Sequence, residues 1–131
     1  MKPTENSEKL AIFKHMVRFT VDLTINAEKF DSFEGIAKAM IAASQKEPGT
    51  LGYDWCLSGD RRRCRLIETY ADANGVLAHL TGPVVQELVP ELLKTSSISG
   101  FEVYGDPGPQ SAEMLAGFGA EIFKLWHGLN R

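Results

Sequence analysis

Hydrophobic and polar residues alternate along four short segments of this chain. In the first, residues 14–23, Val17, Phe19 and Val21 fall on one face, whereas Arg18 and Thr20 fall on the other. A period of two with β-branched residues is typical of a strand buried on one side. Similar patterns and turn signals predict strands over residues 51–57, 63–71 and 98–104.

Apolar residues at helical spacing predict three helices between and after these strands. The first follows Asn26, a suitable cap, and ends at Glu47-Pro48-Gly49. The second follows Asp72 to about Thr81, restarts at Gly82-Pro83 and is kinked or restarted by Pro90. The third follows Ser111 as its cap, and its apolar stripe contains Leu115, Phe118, Ile122, Leu125 and Leu129.

The order of elements predicts an α+β fold, the ferredoxin-like β-α-β-β-α-β arrangement with an extra C-terminal helix. We expect a flexible leader over residues 1–11, the α+β domain over 12–106 and a helical extension over 107–131. The two main helices cover one face of the sheet. A second copy of the chain is the simplest element that could cover the other face, which predicts a homodimer.

The hairpin between the second and third strands determines which aromatic residues share a face. Matching the apolar faces groups Tyr53 and Trp55 with Leu66, Glu68 and Tyr70. A slip of one residue in the turn would reverse this grouping, so both registers stay open.

Composition narrows the class of protein. The chain has 131 residues and a formal net charge of −3, which gives no general attraction to nucleic acid. The basic run Arg61-Arg62-Arg63 falls at the predicted hairpin tip. At this position a solvated turn is a simpler interpretation than an anion-binding site. No segment is apolar enough to span a bilayer and the first residues lack a signal core, so we expect a cytoplasmic protein.

Cysteine usage agrees with a reducing compartment. Cys56 and Cys64 flank the hairpin, and we interpret them as free buried thiols, with a redox switch as the alternative. No spacing of cysteine and histidine indicates a metal site.

Several motifs in order resemble one family. They are residues 47–53 (EPGTLGY), residues 68–70 (ETY), His79 followed by Gly82-Pro83, and the closing strand into Gly105. Together they span roughly residues 14–106 and resemble the antibiotic biosynthesis monooxygenase family, a branch of the dimeric α+β barrels.

The resemblance implies a homodimer with a small-molecule pocket between sheet and helices in each subunit. Some members oxidise aromatic or quinol-like compounds without metal or flavin, which implies an oxidoreductase with no cofactor. Haem-degrading members carry a histidine late in the second helix, and the corresponding Leu88-Val89-Pro90 has none. The alternative function is a non-catalytic, ligand-binding or stress-associated dimer, and a purely structural protein is a third.

His79 and Glu68 are the candidate catalytic residues. An imidazole titrates near neutral pH and can act as a general base. A carboxylate among apolar strand residues is costly unless paired, and its burial favours the protonated form. The alternatives are a structural histidine bonded to backbone and an ion pair of Glu68 with Arg18 or Arg65.

Tyr70, Trp55 and Tyr53 are the candidate substrate-binding residues. Aromatic faces suit a flat substrate, and the phenol and indole groups can orient its oxygen atoms. The alternative is that they form ordinary core or dimer interface. His15 and His127 are expected at the surface, with His127 near the C-terminus of the last helix.

Overall fold

A five-stranded sheet organises the protein in this computed structural model, which describes residues 15–129. The strands are β1 (Val17–Ile25), β2 (Thr50–Leu57), β3 (Arg63–Tyr70), β4 (Ser96–Tyr104) and β5 (Glu121–Phe123). Their order in the sheet is β2-β3-β1-β4-β5. The first four pair antiparallel, and β5 joins the edge of β4 in parallel.

The helices between the strands begin where the sequence predicted. Asn26 accepts a hydrogen bond from the backbone of Glu28 and opens a 3-10 turn, Ala27–Lys29, which leads into α1 (Phe30–Ser44). Asp72 caps α2 (Ala73–Thr81) by accepting from the backbone of Gly75. These two helices complete the β-α-β-β-α-β order, so the α+β, ferredoxin-like prediction is confirmed.

The chain after α2 changes its helical pitch. A π-helical segment, Val84–Leu88, follows Gly82-Pro83 and leads into the short helix α3 (Val89–Leu92). Pro90 lies in the first turn of α3, where a missing N–H costs nothing. Pro90 therefore stands at the start of a helical segment, directly after the change of pitch.

The C-terminal helix exists but is much shorter than its apolar stripe suggested. The helix α4 spans Pro109–Ala116, and Ser111 is buried within it instead of capping it. Gly117 is poor in a helix, and Gly119 adopts a positive φ of 78° that ends the local turn. Ile122 then pairs with Val103 in the sheet, so it belongs to a strand, and Leu125, His127 and Leu129 lie in the coil beyond.

The core lies between the sheet and the helices. Val17, Phe19, Val21 and Leu23 of β1 are all buried, as the alternating pattern predicted. In the hairpin, Tyr53 lies opposite Glu68 and Trp55 opposite Leu66, which confirms the register that matched the apolar faces. This register places the carboxyl group of Glu68 on the inner face, under the helices.

The outer face of the sheet is polar at one end and apolar at the other. The guanidinium of Arg65 binds the carboxylate of Asp22, with 2.6 Å between Nε and Oδ1. Cys56 lies opposite Arg65 and is exposed, whereas Cys64 lies on the inner face and is buried. Both thiols are free, but the expectation that Cys56 is buried is wrong, because it alternates onto the outer face.

Among residues 15–129, no helix is long and apolar enough to cross a membrane. The predicted leader, residues 1–11, lies outside the described residues.

Candidate active site

An apolar cavity with one polar end lies between the inner sheet face and the helices. Its volume is about 60 Å³. Strands β1, β3 and β4 contribute one wall, and the segment from α2 to α3 contributes another. The acidic and basic groups among its lining residues are Glu68 and His79, beside the phenol of Tyr53. The apolar lining comprises Phe19, Val21, Leu23, Met40, Leu66, Leu80, Val85, Val89, Leu92, Leu93, Ile98, Phe101 and Phe118.

His79 is held in the second helix with its ring turned into the protein. Its side chain is only 4% exposed, and its Nδ1 atom lies 2.8 Å from Oε1 of Glu47. Its Nε2 atom lies 3.6 Å from Oε1 of Glu68, which is too far for a hydrogen bond. The ring also packs against the aromatic rings of Tyr53 and Tyr70, with centroids 5.5 Å and 5.2 Å away. The imidazole is therefore tied at one nitrogen and faces a carboxyl group with the other.

Glu68 is a buried carboxyl group whose protonated form is favoured. Burial raises its pKa, and the negative charge of Glu47 adds to this, while His79 and the hydroxyl of Tyr70 oppose it without reversing it. The Tyr70 hydroxyl donates a hydrogen bond to Oε1 of Glu68. Among the alternatives from the sequence, a pair with Arg65 is excluded because Arg65 binds Asp22 on the opposite face.

Glu47 is the site residue that the sequence reasoning missed. Burial raises the pKa of this carboxyl, but the hydrogen bond and charge of His79, helped by Thr50, outweigh burial and leave the pKa lowered. The hydroxyl of Thr50 donates to Oε1 of Glu47 over 2.9 Å. The available signal was the Glu47-Pro48-Gly49 turn, which we interpreted as a helix stop and as part of a family motif, without a role for the Glu47 side chain. Nothing in its local sequence shows that it faces a histidine 32 positions away.

A close contact between two glycines brings Glu47 to His79. A Cβ atom on Gly49 would lie 2.7 Å from the Cα atom of Gly75, so the turn after α1 touches the first turn of α2 backbone to backbone. The carbonyl of Gly49 also accepts a hydrogen bond from the N–H of Ala71. Only residues without a side chain allow this approach, which fixes the turn that carries Glu47 against the helix that carries His79.

The three aromatic candidates take different positions. Tyr53 lines the cavity, and burial with the negative charges of Glu68 and Glu47 raises its pKa, so its phenol stays neutral. Tyr70 is fully buried and contacts Glu68 from behind, whereas Trp55 packs against Phe33 and Tyr53. Tyr70 and Trp55 are not among the residues that line the cavity.

The described residues contain no group of three histidine, cysteine or acidic side chains arranged to hold a metal ion. What the site does hold is a row of three groups: the carboxyl group of Glu47, whose pKa is lowered, the imidazole of His79, and the carboxyl group of Glu68, whose pKa is raised. Groups pushed to opposite protonation states in one site are suited to general acid and base chemistry.

The fold defines a class of small α+β proteins with a ferredoxin-like sheet. The family described as "Antibiotic biosynthesis monooxygenase" matches residues 16–91, which is more than half of the chain. The chain therefore belongs to this family, and the match contains Glu47, Glu68 and His79. No curated protein sequence matches the chain.

Solved structures extend the comparison. MupZ from Pseudomonas fluorescens is 26% identical with a TM-score of 0.75, and the match covers 89% of this chain and 95% of that one. SnoaB, described as a cofactor-independent oxygenase from Streptomyces nogalater, is 16% identical with a TM-score of 0.62, covering 72% and 96%. A Bacteroides thetaiotaomicron protein described as a possible oxidoreductase is 24% identical with a TM-score of 0.63, covering 69% and 96%. Because the last two structures are less than 25% identical to this chain, they show a shared fold alone.

Proposed function

We propose that this protein is a cofactor-independent monooxygenase that oxidises a small aromatic or quinol-like compound in a pocket of each subunit of a homodimer. The observation that carries the proposal is the row Glu47–His79–Glu68 at the polar end of an otherwise apolar cavity. Family membership supports the reaction class, and the cavity lining supports a substrate that is mostly apolar with one oxygen-bearing end.

The chemistry begins with loss of a proton from the substrate. Among the residues that line the cavity, the imidazole of His79 and the carboxyl group of Glu68 are the groups that can accept or donate this proton. The apolar walls exclude water, so the electron-rich anion that forms is not quenched by solvent before it meets dioxygen.

Dioxygen is the oxidant, and the substrate itself supplies the electrons. A ring methylene in the keto tautomer of the substrate loses two hydrogens and gains one oxygen atom as a carbonyl. The second oxygen atom leaves as water with those two hydrogens, so the reaction balances without another reductant. The protein contributes orientation, proton transfer and exclusion of water.

The cavity must open to admit an aromatic ring. A cavity of about 150 Å³ is known to accept benzene in another protein, and the volume here is about 60 Å³. Several lining residues remain at least partly exposed and lie after α3, namely Leu93, Ile98, Phe101 and Phe118. Substrate therefore enters past these side chains and displaces them.

Oxygen consumption tests the proposal directly. The purified chain, stripped with a metal chelator, is mixed with a panel of anthrone-type and quinol compounds while dissolved oxygen and product mass are followed. We expect the uptake of one molecule of dioxygen for each molecule of product formed. The rate of oxygen uptake should fall at least 100-fold in His79→Ala. His15→Ala is the matched control, because His15 is exposed and is not among the residues that line the cavity. Equal rates for wild type and His79→Ala would refute the assignment.

The homodimer forms through the outer sheet face in this proposal. Trp126 is 87% exposed, and beside it a groove of about 650 Å³ runs along the outer face of β1 and the C-terminal segment. A stable interface buries roughly 800 Å² per partner, and a second copy offers a matching apolar patch by symmetry. The exposed apolar side chains around it are Ile67, Tyr104, Phe123, Leu125, Trp126 and Leu129.

Sedimentation measures this part of the proposal. We expect a dimer at micromolar concentration, and at least a tenfold weaker association for Trp126→Ala. Leu51→Ala is the control, since Leu51 is exposed at the opposite edge strand. A wild-type chain that sediments as a folded monomer would refute the dimer.

The apolar lining of the cavity also suits the second candidate function, a ligand-binding dimer without turnover. This candidate predicts that a quinol raises the melting temperature without consuming oxygen, since any ligand that binds only the folded state stabilises it.

A further inference from the structure

We propose that the acid and the base of this site are separate groups: Nε2 of His79 is the base, Glu47 is its positioning counter-ion, and neutral Glu68 donates a hydrogen bond to the substrate oxygen. The assignment rests on the proposed function, because it takes the cavity as the reaction site. It narrows the substrate to a compound whose acidic C–H is conjugated with a carbonyl, the oxygen of which becomes an enolate or phenolate.

The tautomer of His79 follows from its two neighbours. Glu47 favours the ionised form and accepts at 2.8 Å, so Nδ1 of His79 carries the proton and donates it. Its Nε2 atom, at 3.6 Å from Glu68, makes no hydrogen bond within the described residues. The Nε2 lone pair is therefore available at the edge of the cavity.

Burial favours the neutral form of Glu68, and the hydroxyl of Tyr70 orients its carboxyl group. Because Oε1 of Glu68 already accepts from the Tyr70 hydroxyl, the carboxyl proton belongs on Oε2. The hydroxyl of Tyr70 stays protonated, since burial and the neighbouring Glu68 raise its pKa. Tyr53 stays neutral in the same way, so the titratable groups that surround the ring are Glu47, Glu68, Tyr53 and Tyr70.

The proton step balances with these roles. Nε2 of His79 forms a bond to the substrate proton, the electron pair of the broken C–H bond becomes a carbon–carbon π bond, and the π pair of the conjugated carbonyl moves onto its oxygen. That oxyanion accepts the hydrogen bond from Glu68, and the imidazolium charge is compensated by the Glu47 carboxylate. The geometry resembles the acid–base–orienter logic of other sites, in which a buried carboxylate fixes the imidazole and stabilises its charged form.

Two spectroscopic readouts test the assignment without any substrate. The ¹⁵N shifts of the His79 ring at neutral pH report its tautomer, and His79→Gln identifies its signals among those of the three histidines. We expect the Nδ1–H tautomer in wild type and loss of that preference in Glu47→Gln. The infrared band of a protonated carboxyl group, taken as wild type minus Glu68→Gln, should be present at neutral pH and should persist in Glu47→Gln.

Controls separate this arrangement from a general effect on stability. Glu91→Gln removes a carboxylate that is paired with Lys94 on the surface, and it should leave both readouts unchanged. Glu47→Asp keeps the charge and serves if Glu47→Gln does not fold; it should retain the Nδ1–H tautomer. An Nε2–H tautomer, a doubly protonated ring, or absence of the Glu68 band in wild type would overturn the assignment.

Measurements of enzyme activity give a test that does not depend on these spectra. Where a substrate is turned over, Glu47→Gln should lower kcat at least tenfold with little change in KM, since it acts on the base and not on binding. A chain that consumes no oxygen would refute the monooxygenase proposal. The protonation assignment would still be decided by the spectra alone.

Discussion

Replacing Gly75 with alanine tests whether the glycine contact holds the site together. A Cβ atom at this position would lie 2.8 Å from the carbonyl oxygen of Gly49 and 3.2 Å from its Cα. Ordinary contacts begin near 3.4 Å, so the turn after α1 must retreat by about 0.6 Å. Backbone atoms cannot swing aside as a flexible side chain would, and the turn carries Glu47.

The expected change in the free energy of unfolding follows from two opposing effects. Overpacking costs about 1–3 kcal/mol, whereas alanine in a helix gains up to about 1 kcal/mol over glycine. We therefore expect Gly75→Ala to lower the free energy of unfolding by roughly 1–2 kcal/mol. The same retreat would stretch the 2.8 Å bond between Glu47 and His79 beyond hydrogen-bond distance.

A matched control exists in the first helix. Gly35 is exposed within α1, and a Cβ atom there would meet no atom within 4 Å. Gly35→Ala should raise the free energy of unfolding by roughly 0.5–1 kcal/mol. Urea unfolding of both variants measures the difference, and the ¹⁵N spectrum of His79 reports the site. If Gly75→Ala proves as stabilising as Gly35→Ala, the close contact does not constrain the turn.

Three further predictions use the same protein. Because burial raises the pKa of Glu68, the folded state binds more protons than the unfolded state above pH 4.5, so wild-type stability falls as pH rises through the folded pKa. The slope of stability against pH should be at most about 1.4 kcal/mol per pH unit, and Glu68→Gln should remove it. Urea unfolding at several pH values measures the slope, and an unchanged slope in Glu68→Gln would refute the prediction. Phe118→Ala should enlarge the cavity and tighten binding of two-ring phenols, measured by calorimetry; weaker binding would place the access route elsewhere. Iodoacetamide should label exposed Cys56 at least tenfold faster than Cys64, whose pKa burial raises to about 11; equal rates would contradict the alternation of β2 and β3.

Local chemistry predicted much of the fold. The caps Asn26 and Asp72 were visible because their side chains satisfy backbone donors within three residues. The hairpin register was open, and burial decided it, because Tyr53 and Trp55 match the apolar face of β3 and a one-residue slip would expose both. These are short-range signals, or signals repeated along an element.

The C-terminal segment shows where such signals fail. The stripe from Leu115 to Leu129 has helical spacing, but Gly117 and Gly119 interrupt it. The open edge of β4 then provides backbone partners for Ile122 that no window of sequence contains. Tertiary pairing overrode a weak helical preference there.

The candidate site was predicted in part for the same reason. His79 and Glu68 stand out as polar groups in apolar elements, and the structure brings both to one cavity. The role of Glu47 depends on a contact between Gly49 and Gly75, and a pair of glycines far apart in sequence carries no chemical pattern. Tyr70 and Trp55 lie on the expected face but behind the cavity lining, a distinction that alternation alone cannot draw.

In the proposed function, the groups that move the proton and part of the wall that admits the substrate lie in different parts of this chain. Glu47, Glu68 and His79 all lie within residues 16–91, the part that matches the family. Four exposed or partly exposed lining side chains, Leu93, Ile98, Phe101 and Phe118, lie after it, whereas Tyr53 and Val89 lie within it. Since a wall can change shape without disturbing the proton chemistry, exchanging residues 92–119 between relatives should change which compound enters and leave the protonation of Glu68 and His79 as it is.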